Sequence, residues 1–266
     1  MNFLPQENLS YPLRIEIGDF QATGFLLNID NINYLVTAAH TFYDEDDGEL
    51  INENFKVFAY TDDINNNLIW EFSGNIPELE KHGNILTHDD QDVTVIRFAL
   101  TTGELSAQVF KGITINSRQK DKVCTIPGTS IATVDKVKIS CETYVLGYPS
   151  AIGLEDLPQI DFERPLVKRG SVAGINFDKK TIILDCDIYK GNSGGPVLQG
   201  YQSGIGHYKM ELIGMIVEFV PIENQLETTE NISGVTTVNS GYSIALSVDI
   251  IQETINNFTP LQKINQ

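Results

Sequence analysis

Tyr189–Leu198 reads YKGNSGGPVL, three glycines and a proline packed around one serine. A strand-like run, TIILDCD from Thr181, leads toward it, and PVL leads away. Glycines at 191, 194 and 195 permit positive φ and close backbone approach. A turn of that kind exposes the Ser193 hydroxyl and turns successive backbone N–H groups into one concavity. A nucleophile and an anion hole are thereby placed side by side, which is what acyl transfer needs. Alone, a Gly-Ser-Gly-Gly turn is usually no more than a loop, so its partners decide the reading.

Two other segments supply them. YLVTAAHTF places His40 directly after an apolar strand, behind small alanines. Imidazole titrates near neutral pH and is the natural general base. QDVTVIRFAL places Asp92 at the head of another apolar strand. A carboxylate there fixes the histidine tautomer and stabilises the imidazolium. Asp89 and Asp90 are local rivals, and Asp92 is preferred because the apolar run follows it directly. A lone histidine or aspartate at a strand end would ordinarily be read as a cap or a solvated side chain. Their joint occurrence with the serine turn changes that reading.

Around these segments the chain alternates short runs rich in Val, Ile, Thr, Phe and Tyr with turns of Gly, Asn and Asp. Such spacing predicts an all-β sandwich or barrel, and no long helical periods interleave with it. The one strong helix signal is SVDIIQETINNF, Ser247 to Phe258, with Ser247 as its N-cap. A weaker one is the turn AAHTFYD. TTGELSAQVFKGITINSRQKDKV, between Thr101 and Val123, is polar and weakly patterned and is read as a break between two lobes, 1–110 and 111–266. YDEDDGEL (43–50), DDINNN (62–67) and PIENQLETTENISG (221–234) are read as loops.

In the order His40, Asp92, Ser193, the blocks TAAH, DVTVI and GNSGGP resemble those of the trypsin-like serine peptidases of the chymotrypsin fold. LVKRGSVAGI, ELIGMIV and GYSIALSVDII resemble further strands and the closing helix of that family, so the likeness runs from the first strand to the last helix. It is nearest to the disulfide-free bacterial branch with HtrA-type and glutamyl-endopeptidase-type enzymes. The resemblance implies two six-stranded antiparallel β-barrels with a C-terminal helix, forming one peptidase domain. His40 and Asp92 come from the first barrel and Ser193 from the second, with Gly191 and Ser193 N–H groups as the oxyanion hole and no cofactor. It also implies an S1 pocket walled by Lys168 to Ser171 and by Met215 to Phe219, with Val217, Glu218 and Phe219 against the substrate. Asp187, six positions before Ser193, matches the acid that selects Arg or Lys, although Asp185 competes for that alignment.

The sequence departs from secreted members at two places. Asn192 replaces the aspartate that pairs with a new amino terminus after zymogen cleavage, and the chain begins close to its first strand, so a zymogen switch is not expected. Ala39 and Thr41 stand where cysteines flank the histidine. Activity is then constitutive, or gated by a mobile loop or a separate regulatory protein.

Composition narrows the partners. Thirty-six Asp and Glu against 18 Lys and Arg give a net charge of −18, which repels nucleic acid and anionic membrane surfaces. Solubility is the plainest consequence, and attraction of basic substrates a second one. The first residues carry no basic, apolar leader pattern, and no run is long enough to span a membrane. Cys124, Cys141 and Cys186 are odd in number and lack paired spacing, which points to a reducing, cytoplasmic setting. No metal site is expected: YDEDDGEL lacks the calcium-loop spacing, and His82, His88 and His207 lack zinc spacing. The sequence thus predicts a serine endopeptidase acting on proteins or peptides. The competing expectation is an inert fold of the same type used for binding.

Overall fold

The structure is a computed structural model and describes residues 4–44, 46–61, 69–103, 106–117, 119, 122–150, 157–161, 163–204, 207–227 and 233–261. Ten strands form the first sheet: β1 (Pro12–Ile17), β2 (Phe20–Ile29), β3 (Ile32–Thr37), β4 (Asn54–Tyr60), β5 (Ile69–Asn75), β6 (Ile85–Thr87), β7 (Thr94–Gly103), β8 (Ser106–Val109), β9 (Ile113–Ser117) and β10 (Ile126–Pro127). Its path runs β6-β7-β3-β2-β1-β4-β5-β9, with β8 on β7 and β10 on β2. Six strands close the second into a barrel of order β11-β12-β13-β16-β15-β14. These are β11 (Glu142–Gly147), β12 (Leu166–Asn176), β13 (Thr181–Asp185), β14 (Pro196–Gly204), β15 (His207–Glu227) and β16 (Ser233–Ser247). The helices are α1 (Ile76–Lys81) and α2 (Val248–Asn256).

Period-two alternation explains several strands, while others, such as β2, β3 and β11, are continuous runs buried on both faces. On β1, Leu13, Ile15 and Ile17 are buried while Arg14 and Glu16 face the other side. On β4 the same holds for Phe55, Val57 and Ala59 against Lys56. Each sheet curls around its own apolar core, one containing Phe55, Phe72 and Phe98, the other Val145, Ile182 and Ile213. A third cluster lies along the seam. It joins Phe25, Tyr34 and Val36 of the first sheet to Leu198 and Leu212 of the second, and α2 adds Val248, Ile251 and Ile255.

The all-β architecture with two curled sheets and a carboxy-terminal helix is as expected, but details differ. The second sheet has the six expected strands in a ring, whereas the first is longer and its path does not close. The break between Thr101 and Val123 contains β8 and β9. Ile113 and Ile115 alternate with Thr114 and Asn116 and pair with β5, so the first sheet takes strands from beyond residue 110. The described residues of the 221–234 segment belong to a ribbon: Ile222 pairs with Val238, and the ladder continues to Glu227 opposite Ser233. Ile222 opposite Val238 is a cross-strand β-branched pair, which favours strand despite an acidic, Asn-rich composition. DDINNN lies outside the described residues. Ser247 stands at the α2 N-cap position, but its hydroxyl makes no capping bond. Helix α1 was not foreseen, although Asn75 caps it by accepting the Glu78 N–H at 3.0 Å, an Asn-x-x-Glu start.

Candidate active site

The histidine turn follows β3. Ala39–Thr41 form one turn of 3-10 helix, which carries His40 to the rim of the first sheet. Asp92, just before β7, reaches it because β3 and β7 are paired neighbours, Thr37 opposite Thr94. Asp92 Oδ2 lies 2.7 Å from His40 Nδ1, and Oδ1 accepts the His40 backbone N–H at 3.0 Å. The carboxylate therefore clasps both the ring and the backbone of one residue. Burial pushes the Asp92 carboxyl upward, but hydrogen bonds and charge from His40 and the Ala39 N–H outweigh it and hold the group below its ordinary value. An ionised carboxylate only accepts, so the shared proton sits on Nδ1 and leaves Nε2 with its lone pair. Asp89 and Asp90 are exposed, and Asp90 is occupied in a local turn where its N–H donates to His88 Nδ1 at 3.1 Å.

The serine turn lies between β13 and β14. Gly191 and Gly194 adopt φ of +85° and +84°, which side chains other than glycine rarely tolerate. A Cβ at Gly194 would also overlap the Thr23 carbonyl oxygen, and one at Gly191 would overlap the Tyr148 carbonyl oxygen. Asn192 is 2% exposed, and its Oδ1 accepts the Tyr189 N–H at 3.0 Å, closing the turn on itself. Ser193 Oγ donates to the Val217 carbonyl at 3.1 Å. Among the described residues the N–H groups of Gly191 and Ser193 have no acceptor.

These two turns face one cleft. On one side of His40 a cavity of about 760 Å³ includes Gly191 and Ser193 and carries the acids Glu16, Asp19, Asp44 and Asp46, with Lys190 as a cation. On the other side a cavity of about 650 Å³ includes Asp92, Val217 and Glu218. Val217 is buried, Glu218 exposed and Phe219 half-buried. Asp187 and Asp185 are exposed, and Asp187 lines neither cavity; its carboxylate lies 3.6 Å from where a Cβ on Gly241 would stand. Lys168, from the expected pocket wall, covers the Tyr189 ring at 3.8 Å. His82 pairs with Glu78 at 3.4 Å, and His207 opens β15. Among the described residues no group of three His, Cys, Asp or Glu side chains is placed to hold a metal ion.

Thr23 escaped sequence reading. It is fully buried in β2 and bonds to the serine turn from the opposite lobe. The one available signal was a hydroxyl inside an otherwise apolar buried run, FQATGFLLNI.

A serine turn from a closed barrel facing a histidine turn from a second curled sheet is the architecture of the chymotrypsin-type serine peptidases. The chain belongs to the trypsin-like peptidase domain family, whose model matches residues 22–206. It is a serine protease, a hydrolase. No curated protein shows a significant match to it. Among solved structures it is similar in fold to a thermostable serine protease, AL20, from an extremophilic microorganism, with 14% identity, TM-score 0.54, and 95% of this chain and 97% of that one covered. It is likewise similar to Deg5, with 18% identity, TM-score 0.52, and 94% and 90% covered. At such identities the likeness is one of fold. No helix among the described residues is long and apolar enough to cross a membrane.

Proposed function

We propose that the protein is an endopeptidase in which Ser193 is the nucleophile, His40 the general base and Asp92 its orienting acid. The observation that carries this reading is the double clasp of His40 by Asp92 at 2.7 and 3.0 Å, with Ser193 in the same cleft. In the reaction, Ser193 Oγ leaves the Val217 carbonyl and attacks the peptide carbonyl as His40 Nε2 takes its proton. The unengaged N–H groups of Gly191 and Ser193 hold the developing oxyanion, a contribution of about 3 kcal/mol per donor in comparable sites. His40 then gives the proton to the departing amine, and water, activated by the same imidazole, hydrolyses the acyl-enzyme.

Asp187 supports a preference for Arg or Lys before the scissile bond, because it is an exposed carboxylate with no ion-pair partner among the described residues. Val217, Glu218 and Phe219 would line the approach of that side chain and of the substrate backbone. Because Asn192 locks its own turn, no charged terminus is required to hold it, and activity is constitutive or gated by a mobile loop or a separate regulatory protein. The odd, unpatterned cysteines support action on proteins or peptides in a reducing cytoplasm.

A fluorophosphonate probe tests the proposal. Wild-type protein is expected to label and Ser193→Ala to show none; a folded wild type that never labels would mark an inert binding fold instead. Profiling cleavage in a peptide library beside Asp187→Ala tests the pocket, and an unchanged preference removes Asp187 from it.

A further inference from the structure

Thr23 belongs to the first lobe, yet most of its polar capacity is spent on the second. Its N–H donates to the Ser193 carbonyl at 3.1 Å. Its hydroxyl donates to the Gly191 carbonyl at 2.6 Å and accepts the Tyr148 N–H at 2.9 Å. Its own carbonyl accepts the Thr37 hydroxyl at 2.8 Å, and Thr37 Oγ1 lies 3.1 Å from that of Thr41, the residue after His40. Thr23 and Thr37 are fully buried and Thr41 is 4% exposed.

The proposed oxyanion donors are the N–H groups of Gly191 and Ser193, each carried by a peptide plane whose rotation would swing the donor away. Glycine imposes little restraint of its own, so the planes must be held from outside. The Lys190 carbonyl accepts the Ser150 N–H and the Asn192 carbonyl accepts the Gly195 N–H, both at 2.8 Å and both within the second lobe. The plane between them, from Gly191 to Asn192, is held at its N–H by the Tyr189 carbonyl at 3.1 Å and at its carbonyl by the Thr23 hydroxyl, which reaches it from the other lobe. The second lobe packs closely on Thr23: a Cβ at Gly147 would stand 2.9 Å from Thr23 Oγ1, and one at Gly194 would overlap the Thr23 carbonyl oxygen.

We propose that Thr23 is a positioning residue that sets the conformation of the oxyanion turn across the lobe interface, through the bonds from its hydroxyl to Gly191 and from its N–H to Ser193. The inference rests on the reading of Gly191 and Ser193 as oxyanion donors. It makes donor alignment depend on how the first lobe is seated, and it links the histidine turn to the serine turn through Thr41, Thr37 and Thr23.

Thr23→Val removes the hydroxyl and keeps the shape, while Thr23→Ser keeps the hydroxyl. With the library peptide that wild-type protein cleaves fastest, Thr23→Val is expected to lower kcat by about 10- to 100-fold, less than outright loss of a donor, with KM within about threefold. Thr23→Ser should recover wild-type kcat to within about threefold. A Thr23→Val kcat within about twofold of wild type, or a Thr23→Ser as impaired as Thr23→Val, overturns the proposal. A second measurement needs no turnover: amide hydrogen exchange at Asn192 and Gly195, whose N–H groups close the turn on the Tyr189 and Asn192 carbonyls, read by NMR in uninhibited protein. Exchange there is expected to quicken about tenfold or more in Thr23→Val while the Val95 amide is unchanged. Unaltered exchange rejects the role of Thr23 even if the catalytic reading stands. Quickened exchange in a protein that never labels with fluorophosphonate keeps the role of Thr23 in holding the turn and rejects the catalytic reading. Thr23→Ala takes the place of Thr23→Val in both measurements if the latter does not fold.

Discussion

The histidine end and the serine end of the cleft are built by opposite means. At the histidine end a side chain holds a side chain: Asp92 binds the His40 ring and backbone, and ordinary residues with ordinary φ surround them. At the serine end it is the backbone that is held, through glycines at positive φ and carbonyls that accept from neighbouring N–H groups and from the Thr23 hydroxyl. The first end tolerates change in neighbouring side chains but depends on charge. The second is indifferent to charge but cannot accept a methyl group at Gly194. Substitutions at the two ends should therefore fail in different ways.

The largest effect is expected from Asp92→Asn. The amide oxygen can still accept the His40 backbone N–H, so folding should survive, but the histidine tautomer is lost. A fall of about 10⁴-fold in kcat for peptide hydrolysis is expected. Gly194→Ala should break the other end, costing about 3 kcal/mol of stability from strain and overlap, read as a lower urea midpoint, and fluorophosphonate labelling should disappear with it. If Gly194→Ala keeps its stability and Asp92→Asn does not, the contrast drawn above is inverted. Asn75→Ala serves as a control far from both ends. Removing the α1 cap should lower stability by about 1 kcal/mol and leave kcat alone.

The smallest effect is the pH dependence of the histidine end. Asp92 is held below its ordinary value of 3.8, so its ionised form stabilises the fold. That contribution is complete above pH 3.8 and is lost as pH falls through the depressed folded value. The Asp92 side chain is about one-third exposed, so solvent screening keeps the term small. Urea midpoints measured from pH 6 downward should fall slightly less steeply in Asp92→Asn than in wild type.

The same contrast explains what the sequence made legible. The serine turn could be read because its glycines have no other use at that density, and the backbone requirement is written directly as residue type. His40 and Asp92 were legible through their place at strand ends beside apolar runs, and the β3–β7 pairing that joins them is a common product of such strands. Thr23 was not legible, because a buried threonine in a strand looks like β-propensity until its partners are known. The strands at 106–109 and 113–117 were hidden by polar alternation over short spans, and the ribbon beyond Pro221 by an acidic composition that suggested a loop. Asp187 was legible only through its spacing from Ser193; its exposed carboxylate stands outside both cavities flanking His40, and the Asp187→Ala cleavage profile decides its place in the pocket.

Helix α2 has a consequence for synthesis. Its apolar strip of Val248, Ile251 and Ile255, continued by Phe258, belongs to the cluster that unites the lobes, while Arg97 of β7 holds the Thr259 carbonyl and lies 4.5 Å from the Phe258 ring. Translation delivers this strip after every strand of both sheets. A nascent chain on the ribosome therefore lacks the last piece of the clamp between its halves until those residues emerge. Vectorial synthesis itself delays the maturation of a peptidase that would otherwise be assembled among unfolded neighbours.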